Sequence, residues 1–200
     1  MKYLVSLFII FNLQSIAVAT EIIMQEFEYY SQTGGGNIIN CGLEYNGITE
    51  VDKEGKAEFV NGSINLSAFY EKGILSVMLK SRLQDINVHT KARQIKSLKH
   101  IWFGDSNNKI LTKDYKYFPS DDGYSFVLGS LENDNDVSNY FMFQNDLIKK
   151  GFSIGIQESD RYIDKVFNFK PVVQVEELQN FLNCAADMTI SLEKYISENF

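Results

Sequence analysis

An alternating stretch near the start of the chain, NIINCGLEYNG, constrains the fold more than any other feature of the sequence. Apolar residues fall at every second position from Ile39 to Tyr45, and Cys41 is one of them. A period of two is typical of a β-strand with one face buried and the other exposed. The stretch therefore predicts a strand whose Cys41 side chain points into a core.

The first nineteen residues determine how that cysteine is interpreted. A lysine, an apolar run from Leu4 to Phe11 and the small residues Ala17 and Ala19 occur in the order that is typical of a secretory signal peptide. A membrane anchor or a buried first helix is the alternative, but polar residues interrupt the run before the roughly 18 to 20 residues that a bilayer span needs. We therefore expect a signal peptide at 1–19 and a single β-rich domain at 20–200, located in the periplasm or secreted.

The chain has two cysteines, Cys41 and Cys184. Whether the chain is exported decides how they are interpreted. In an oxidising compartment two thiols of one chain usually pair, whereas in the cytosol they suggest metal or redox chemistry. We therefore predict a disulfide between them. The alternative is two buried free thiols that pack as small hydrophobic groups. No C-x-x-C spacing occurs, which argues against a redox-active pair.

The rest of the chain favours strands with two helical segments added to them. Alternation recurs over Ser63–Tyr70 and over Leu75–Leu79, and a turn at Gly73 between them predicts a hairpin. Spacings of three and four occur in a short segment, Asp136–Gly151, and in a longer one that begins at Val175. Six further strands are expected, at Ile22–Tyr30, Leu83–Val88, His100–Phe103, Tyr124–Leu128, Phe152–Gln157 and Ile163–Phe169.

The C-terminal helix contains Cys184, beside an apolar stripe that includes Phe181. A disulfide to an inward-facing Cys41 would hold this helix across the sheet, and we expect a break in the helix near Asp187. The predicted fold class is mainly β (α+β): a single antiparallel β-sandwich-like domain with a short helix and a C-terminal helix packed on the sheet.

Charge limits the classes of partner. The formal net charge is -7, and loss of Lys2 with the signal peptide would make it about -8. An acidic surface repels phosphate backbones and anionic lipid, so we expect no nucleic acid partner. No segment after the signal peptide is apolar enough to span a membrane, so we expect no membrane span after cleavage.

No catalytic or cofactor motif is present in the sequence. His89 and His100 lack the spacing of metal ligands, and the elbow motif of serine hydrolases is absent. Glu132, Asp134 and Asp136 alternate as in a calcium loop, but the glycine and the bidentate acid of such a loop are missing. The sequence therefore predicts no metal and no cofactor.

The only tryptophan, Trp102, would share one face of a short strand with His100, while Ile101 and Phe103 face the other side. If that face is exposed, Trp102 and His100 form the best candidate for an interaction patch, because aromatic residues concentrate at the centres of interfaces. The alternative is that Trp102 fills the core, and large aromatic side chains are mostly buried.

The NCGLEYNG strand, a GFSIGI strand after a short helix, and the terminal FNFKP and LQNFLNC segments give the chain a resemblance to a group of small exported proteins of Gram-negative bacteria. Those proteins have one cysteine near each end of the mature domain, and most have no assigned function. The resemblance implies a periplasmic, disulfide-closed β domain.

Two functional hypotheses follow from the sequence. The first is a non-catalytic periplasmic or secreted protein that binds a protein partner or a ligand of the cell envelope through a sheet face or loop rim. The second is a small secreted hydrolase that acts on envelope or host glycan through two carboxylates, which would require two acids about 5 to 9 Å apart in one pocket. An exposed apolar or aromatic patch would favour the first.

Overall fold

The computed structural model describes residues 18–104, 109–110, 116–119, 122–131, 140, 150–171 and 174–199. Within these residues the chain forms eleven strands, a 3₁₀ turn at Tyr70–Lys72 and one long helix, α1, at Val175–Asn199. The strands are β1 (Val18–Gly34), β2 (Asn37–Thr49), β3 (Lys56–Phe69), β4 (Ile74–Asn87), β5 (Arg93–Ile95), β6 (Leu98–Gly104), β7 (Lys109–Ile110), β8 (Lys116–Pro119), β9 (Ser125–Leu131), β10 (Phe152–Glu158) and β11 (Lys165–Phe169).

All of these strands belong to one sheet. Its order is β7, β6, β10, β11, β1, β2, β3, β4, β9, β8, and β5 pairs with the end of β4. Neighbouring strands are antiparallel except β1 and β11, in which Val18–Glu21 runs parallel to Lys165–Asn168. The sheet curls into a half-barrel, so that β6, near one end of the strand order, also contacts β4 and β9 near the other end.

The predicted mainly β class, with a C-terminal helix packed on the sheet, is confirmed. Two details differ from the antiparallel sandwich-like arrangement: one strand pair is parallel, and one curled sheet encloses the core. A parallel pair needs a long connection, and here most of the chain lies between its two strands, so no local pattern indicates it. The segment Leu83–Val88 is not a separate strand, because β4 continues through it as far as Asn87.

The interior of the curl is filled by aromatic rings from both halves of the sheet. Tyr45 of β2 makes edge-to-face contacts with Phe103, Phe152 and Phe169, whose centroids lie 5.4 to 5.8 Å from its own. The Tyr45 ring extends over Gly62 of the neighbouring strand β3 toward β4. A Cβ atom at Gly62 would lie 1.8 Å from the Lys80 carbonyl oxygen. Only glycine allows this close approach, so the sequence NGS in β3 makes room for the central aromatic residue of the core.

Helix α1 lies against the inner face of the sheet, over β1, β2 and β3. Its buried residues are Leu178, Phe181, Cys184, Ala185, Met188 and Leu192. The predicted disulfide is present: Cys41 and Cys184 are bonded, with their Cα atoms 5.9 Å apart. The break expected near Asp187 is wrong, because the helix continues through it to Asn199. An exposed aspartate on the outer side of a well-packed helix does not interrupt its hydrogen bonds.

The segment Asp136–Gly151, predicted to contain a short helix, lies outside the described residues except at Tyr140, Lys150 and Gly151. Tyr140 and Lys150 are helical, and Gly151 is not. The Tyr140 side chain is buried and belongs to the core. The expected start of the mature chain, Thr20, lies inside β1 and pairs with Phe167 of β11.

Candidate functional site

An apolar row crosses the outer face of the sheet, on the side opposite to α1. Met24 of β1 pairs with Ile48 of β2, and Ile48 pairs with Phe59 of β3. Because residues opposite one another in a sheet project to the same face, these three side chains are neighbours. Met24 is 59% exposed, although outer positions of a half-buried sheet normally carry polar side chains.

A β-bulge in β1 produces part of this row. The register shifts between Ile22, which pairs with Thr49, and Met24. Ile22 remains in the core, while Ile23 and Met24 are both at least half exposed. A bulge redirects side chains by inserting one residue into one strand of a pair, and here it places two apolar side chains on the surface.

Two hollows of about 380 Å³ each lie along the row. The first is lined by Met24, Gln25, Glu26, Asn46, Ile48 and Phe59. The second is lined by Ile48, Phe59, Ile86, Asn87, Val88, Lys91, Ala92 and Arg93. Both hollows are lined by Ile48 and Phe59, so they adjoin each other on the outer face of β1, β2, β3 and β4. We call the pair the cross-strand groove and define its apolar surface as Met24, Ile48, Phe59, Ile86 and Val88.

The β4–β5 loop forms one end of the groove and is held in place by Asn87. The Asn87 Oδ1 atom accepts hydrogen bonds from the backbone N–H groups of His89 and Thr90, at 3.0 and 2.9 Å. Its Nδ2 atom donates to the Glu54 carbonyl oxygen, and the Val88 N–H donates to the Gly55 carbonyl oxygen at 2.8 Å. The loop is therefore tied to the neighbouring β2–β3 loop as well as to its own strand.

Two cationic residues line this end of the groove, Lys91 in the loop and Arg93 at the start of β5. Lys91 has a positive φ of 58°, the only such value among the described residues that are not glycine. A left-handed conformation costs free energy in a lysine, and the hydrogen bonds around Asn87 hold it in place. Neither cation forms an ion pair within the described part of the chain.

The cations further along the outer face are arranged differently. The Lys80 Nζ atom lies 3.8 Å from the centre of the Tyr124 ring, and the Arg82 Cζ atom lies 4.2 Å from it. The Tyr124 hydroxyl accepts a hydrogen bond of 2.7 Å from Asn61. Lys80 and Arg82 are therefore held against an aromatic ring, whereas Lys91 and Arg93 face the groove.

A second cluster of charges lies where the ends of β3, β4, β10 and β11 meet. The buried Glu158 carboxylate has Lys165 at 3.1 Å and Lys96 at 3.8 Å, and Lys165 also pairs with Glu58. The hydrogen bond to Asp85 raises the pKa of Lys96 above its ordinary value. Each of these carboxylates has a cation beside it, so the cluster offers no free pair of acids. Its ion pairs join strands at this end of the curled sheet.

The interaction patch predicted at Trp102 and His100 depended on an exposed face. The two side chains do share a face, since Trp102 pairs with Gly155 and His100 with Gln157. Trp102 is only 6% exposed, however, and it lies directly over Gly155. Its Nε1 atom donates a hydrogen bond of 2.8 Å to Asp164. The Trp102 side chain is therefore buried although it lies on the outer face of the sheet. His100 beside it is partly exposed.

Within the described residues, no three His, Cys, Asp or Glu side chains lie close enough together to hold a metal ion. The acidic segment that contains Glu132, Asp134 and Asp136 lies outside those residues. No described helix has the length and apolar character needed to cross a bilayer.

Sequence reasoning missed the cross-strand groove, although a signal for it was present. In β2 the inward positions are odd-numbered from Cys41 to Tyr45, so Ile48 stands at an outward position. In β3 the inward positions are even-numbered from Val60 to Ala68, and Phe59 also stands outward. Large apolar residues on the polar side of an alternating pattern indicate an exposed patch, but only the strand register shows that they are adjacent.

No family model matches the chain, and no curated protein or solved structure matches it either.

Proposed function

We propose that this chain is a non-catalytic, exported binding protein that holds a protein partner or ligand of the cell envelope in the cross-strand groove. The observation that carries the proposal is the pair of adjoining apolar hollows on the outer face of the sheet. Contiguous exposed apolar surface is costly in water and commonly marks an interaction site. The volume of each hollow is within the range of small-molecule sites, about 300 to 1,000 Å³.

The disulfide supports export. Cys41 and Cys184 are both buried and bonded to each other, and such bonds persist in oxidising compartments such as the periplasm. Cleavage after Ala19 would remove the first two of the four parallel pairs between β1 and β11, and would leave the pairs of Thr20 and Glu21. The signal-like N-terminus and the disulfide are thus mutually consistent.

The mature form is tested by intact mass before and after reduction and alkylation of protein purified from its native host. We expect an N-terminus at Thr20 and two alkylation adducts that appear only after reduction. An uncleaved N-terminus, or two adducts without reduction, would contradict export to an oxidising compartment.

The binding function is tested by native mass spectrometry of the protein isolated from the same host. Wild-type protein is compared with Met24→Glu in the groove and with Leu128→Glu as a matched control. Leu128 is also an exposed apolar residue, in β9, at 40% exposure. We expect wild type and Leu128→Glu to carry extra mass that Met24→Glu lacks. Absence of extra mass on the wild type, or the same extra mass on all three proteins, would contradict the proposal.

The hydrolase alternative would gain support from two acids that face the same hollow. The two hollows of the groove contain one carboxylate, Glu26, and a third hollow near the Gly34–Gly35 turn contains one, Glu71. No observation on the described residues therefore favours paired carboxylates over the binding groove.

A further inference from the structure

We propose that the ligand of the cross-strand groove is a free, single-chain anionic amphiphile. Its carboxylate or phosphate head lies at Lys91 and Arg93, and its alkyl chain crosses Phe59 and Ile48 toward Met24. This inference rests on the proposed function and names the class of ligand that the groove accepts.

The floor of the groove favours an alkyl chain over an extended peptide. Ile48 and Phe59 belong to internal strands, with a paired strand on each side. Their backbone groups are thus used within the sheet, and the floor offers no backbone donors or acceptors. An extended peptide lying there would leave its own amides without partners, which costs free energy. An alkyl chain has no polar groups to satisfy.

The two ends of the groove differ in charge, which gives the ligand a direction. The hollow at the β4–β5 end is lined by Lys91 and Arg93 and by no carboxylate. The hollow at the β1 end has Glu26 and no cation in its lining. An anionic head is therefore attracted to the β4–β5 end and repelled from the β1 end.

The backbone of the loop at the basic end is held in place before a ligand binds. Asn87 fixes the loop through three side-chain hydrogen bonds, and Lys91 has a left-handed backbone within it. The backbone of the loop therefore loses little further conformational entropy when a head group binds. A cation in a strained conformation, beside an apolar hollow and without an ion-pair partner in the described chain, is the arrangement expected at an anion site.

The charge of the whole chain favours a free amphiphile over a membrane surface. The formal net charge is -7, and a strongly acidic protein is repelled by an anionic bilayer. A single amphiphile brings only one or two negative charges to the two local cations. The groove also spans β1 to β4, three strand spacings or about 14 Å, which is the scale of one extended alkyl chain.

The inference is tested by calorimetric titration of the disulfide-closed protein with three amphiphiles of equal chain length, each below its micellar concentration. The probes are dodecanoate, dodecyl phosphate and the neutral dodecyl maltoside. We expect both anions to bind at least roughly tenfold more tightly than the neutral probe, because only they can form a charge-assisted contact with the two cations. Octanoate should bind more weakly than dodecanoate, since fewer methylenes are buried.

Charge-reversal variants locate the head group. Lys91→Glu and Arg93→Glu should each weaken dodecanoate binding at least tenfold and leave maltoside binding within about twofold. The matched control is Lys72→Glu, which makes the same change in net charge at an exposed lysine in the 3₁₀ turn. Met24→Glu should weaken all three probes, because it places a charge where the chain lies.

Several results would overturn the inference. The first two are absence of dodecanoate binding and equal affinity for anionic and neutral probes. The third is an equal effect of Lys72→Glu and Lys91→Glu on dodecanoate binding. The fourth is binding to phosphatidylglycerol vesicles in preference to free dodecanoate. If dodecanoate fails to bind while Met24→Glu still removes the native ligand, the groove is a binding site for another class of molecule. If both measurements fail, the groove is not the functional site.

Discussion

Tyr45 and Gly62 show how one pair of residues organises the core. Tyr45 is buried, touches rings from β6, β10 and β11, and donates a 2.7 Å hydrogen bond to the Lys80 carbonyl oxygen. Gly62 leaves the space through which its ring reaches that oxygen. The Tyr45 ring can reach the Lys80 carbonyl oxygen only because Gly62 has no Cβ atom. The ring, its hydrogen bond and the glycine therefore depend on one another.

Tyr45→Phe tests this arrangement and also gives a pH signature. At neutral pH we expect a loss of about 1 to 2 kcal/mol, because the Lys80 carbonyl loses its buried donor. Burial raises the pKa of Tyr45 far above its ordinary value, so the folded state keeps the proton while the unfolded state releases it above about pH 10. Ionisation of this group therefore leaves the free energy of unfolding of the wild type unchanged below about pH 10 and lowers it above that pH.

The measurement is the free energy of unfolding in urea from pH 7 to 11. The wild type should lose stability above about pH 10 at up to roughly 1.4 kcal/mol per unit from this one group, and the variant should have a shallower decline. Lys96 contributes to the decline in both proteins, because its pKa is also raised. Identical slopes would contradict the assigned role of the Tyr45 hydroxyl.

Among the elements, α1 shows most clearly how covalent and noncovalent contacts combine. Six buried side chains pack on β1, β2 and β3, and Cys184 lies in the middle of that face. The disulfide therefore joins surfaces that the apolar packing already brings together, and it restricts the unfolded chain more than it shapes the folded one.

Reduction of the disulfide is expected to lower the free energy of unfolding by roughly 4 to 5 kcal/mol, as the chain-entropy model gives for a loop of this length. Denaturant midpoints of oxidised and reduced wild type measure this change. The Cys41→Ala, Cys184→Ala double variant is the control, since reductant should not affect its midpoint. If reduction leaves the wild-type midpoint unchanged, the bridge does not stabilise the fold.

At the scale of the whole molecule, the charge cluster around Glu158 joins parts of the sheet that are far apart in its strand order. Lys165 of β11 contacts both Glu158 of β10 and Glu58 of β3. Lys96, between β5 and β6, contacts Glu158 and Asp85 of β4. A curled sheet leaves its open end without ladder hydrogen bonds between distant strands, and these ion pairs bridge that end.

Glu158→Gln should therefore destabilise the fold by about 2 to 3 kcal/mol, because it leaves two partly buried lysines with one fewer anion. The loss is smaller than for an isolated buried pair, since Lys165 keeps Glu58 and Lys96 keeps Asp85. Thermal or urea unfolding measures it. The control is Glu54→Gln in an exposed pair with Lys56, which should have no measurable effect. Equal effects of the two variants would show that the charge cluster around Glu158 does not stabilise the fold.

Features that depend on residues close together in the chain could be predicted from the sequence alone. Alternation marked the strands and placed Cys41 inward, and helical spacing marked α1 from Val175. The disulfide also followed from the sequence, because a predicted oxidising compartment and only two cysteines left one intramolecular pairing.

Features that depend on the register between distant segments become visible only in the folded sheet. Trp102 is covered because Gly155 lies opposite it, and β1 meets β11 in parallel across most of the chain length. The cross-strand groove exists because Met24, Ile48 and Phe59 align on three strands. A shift of one residue in any pairing would send these side chains to the other face. Periodicity shows that a strand has two faces, whereas packing of the whole sheet decides what each face meets.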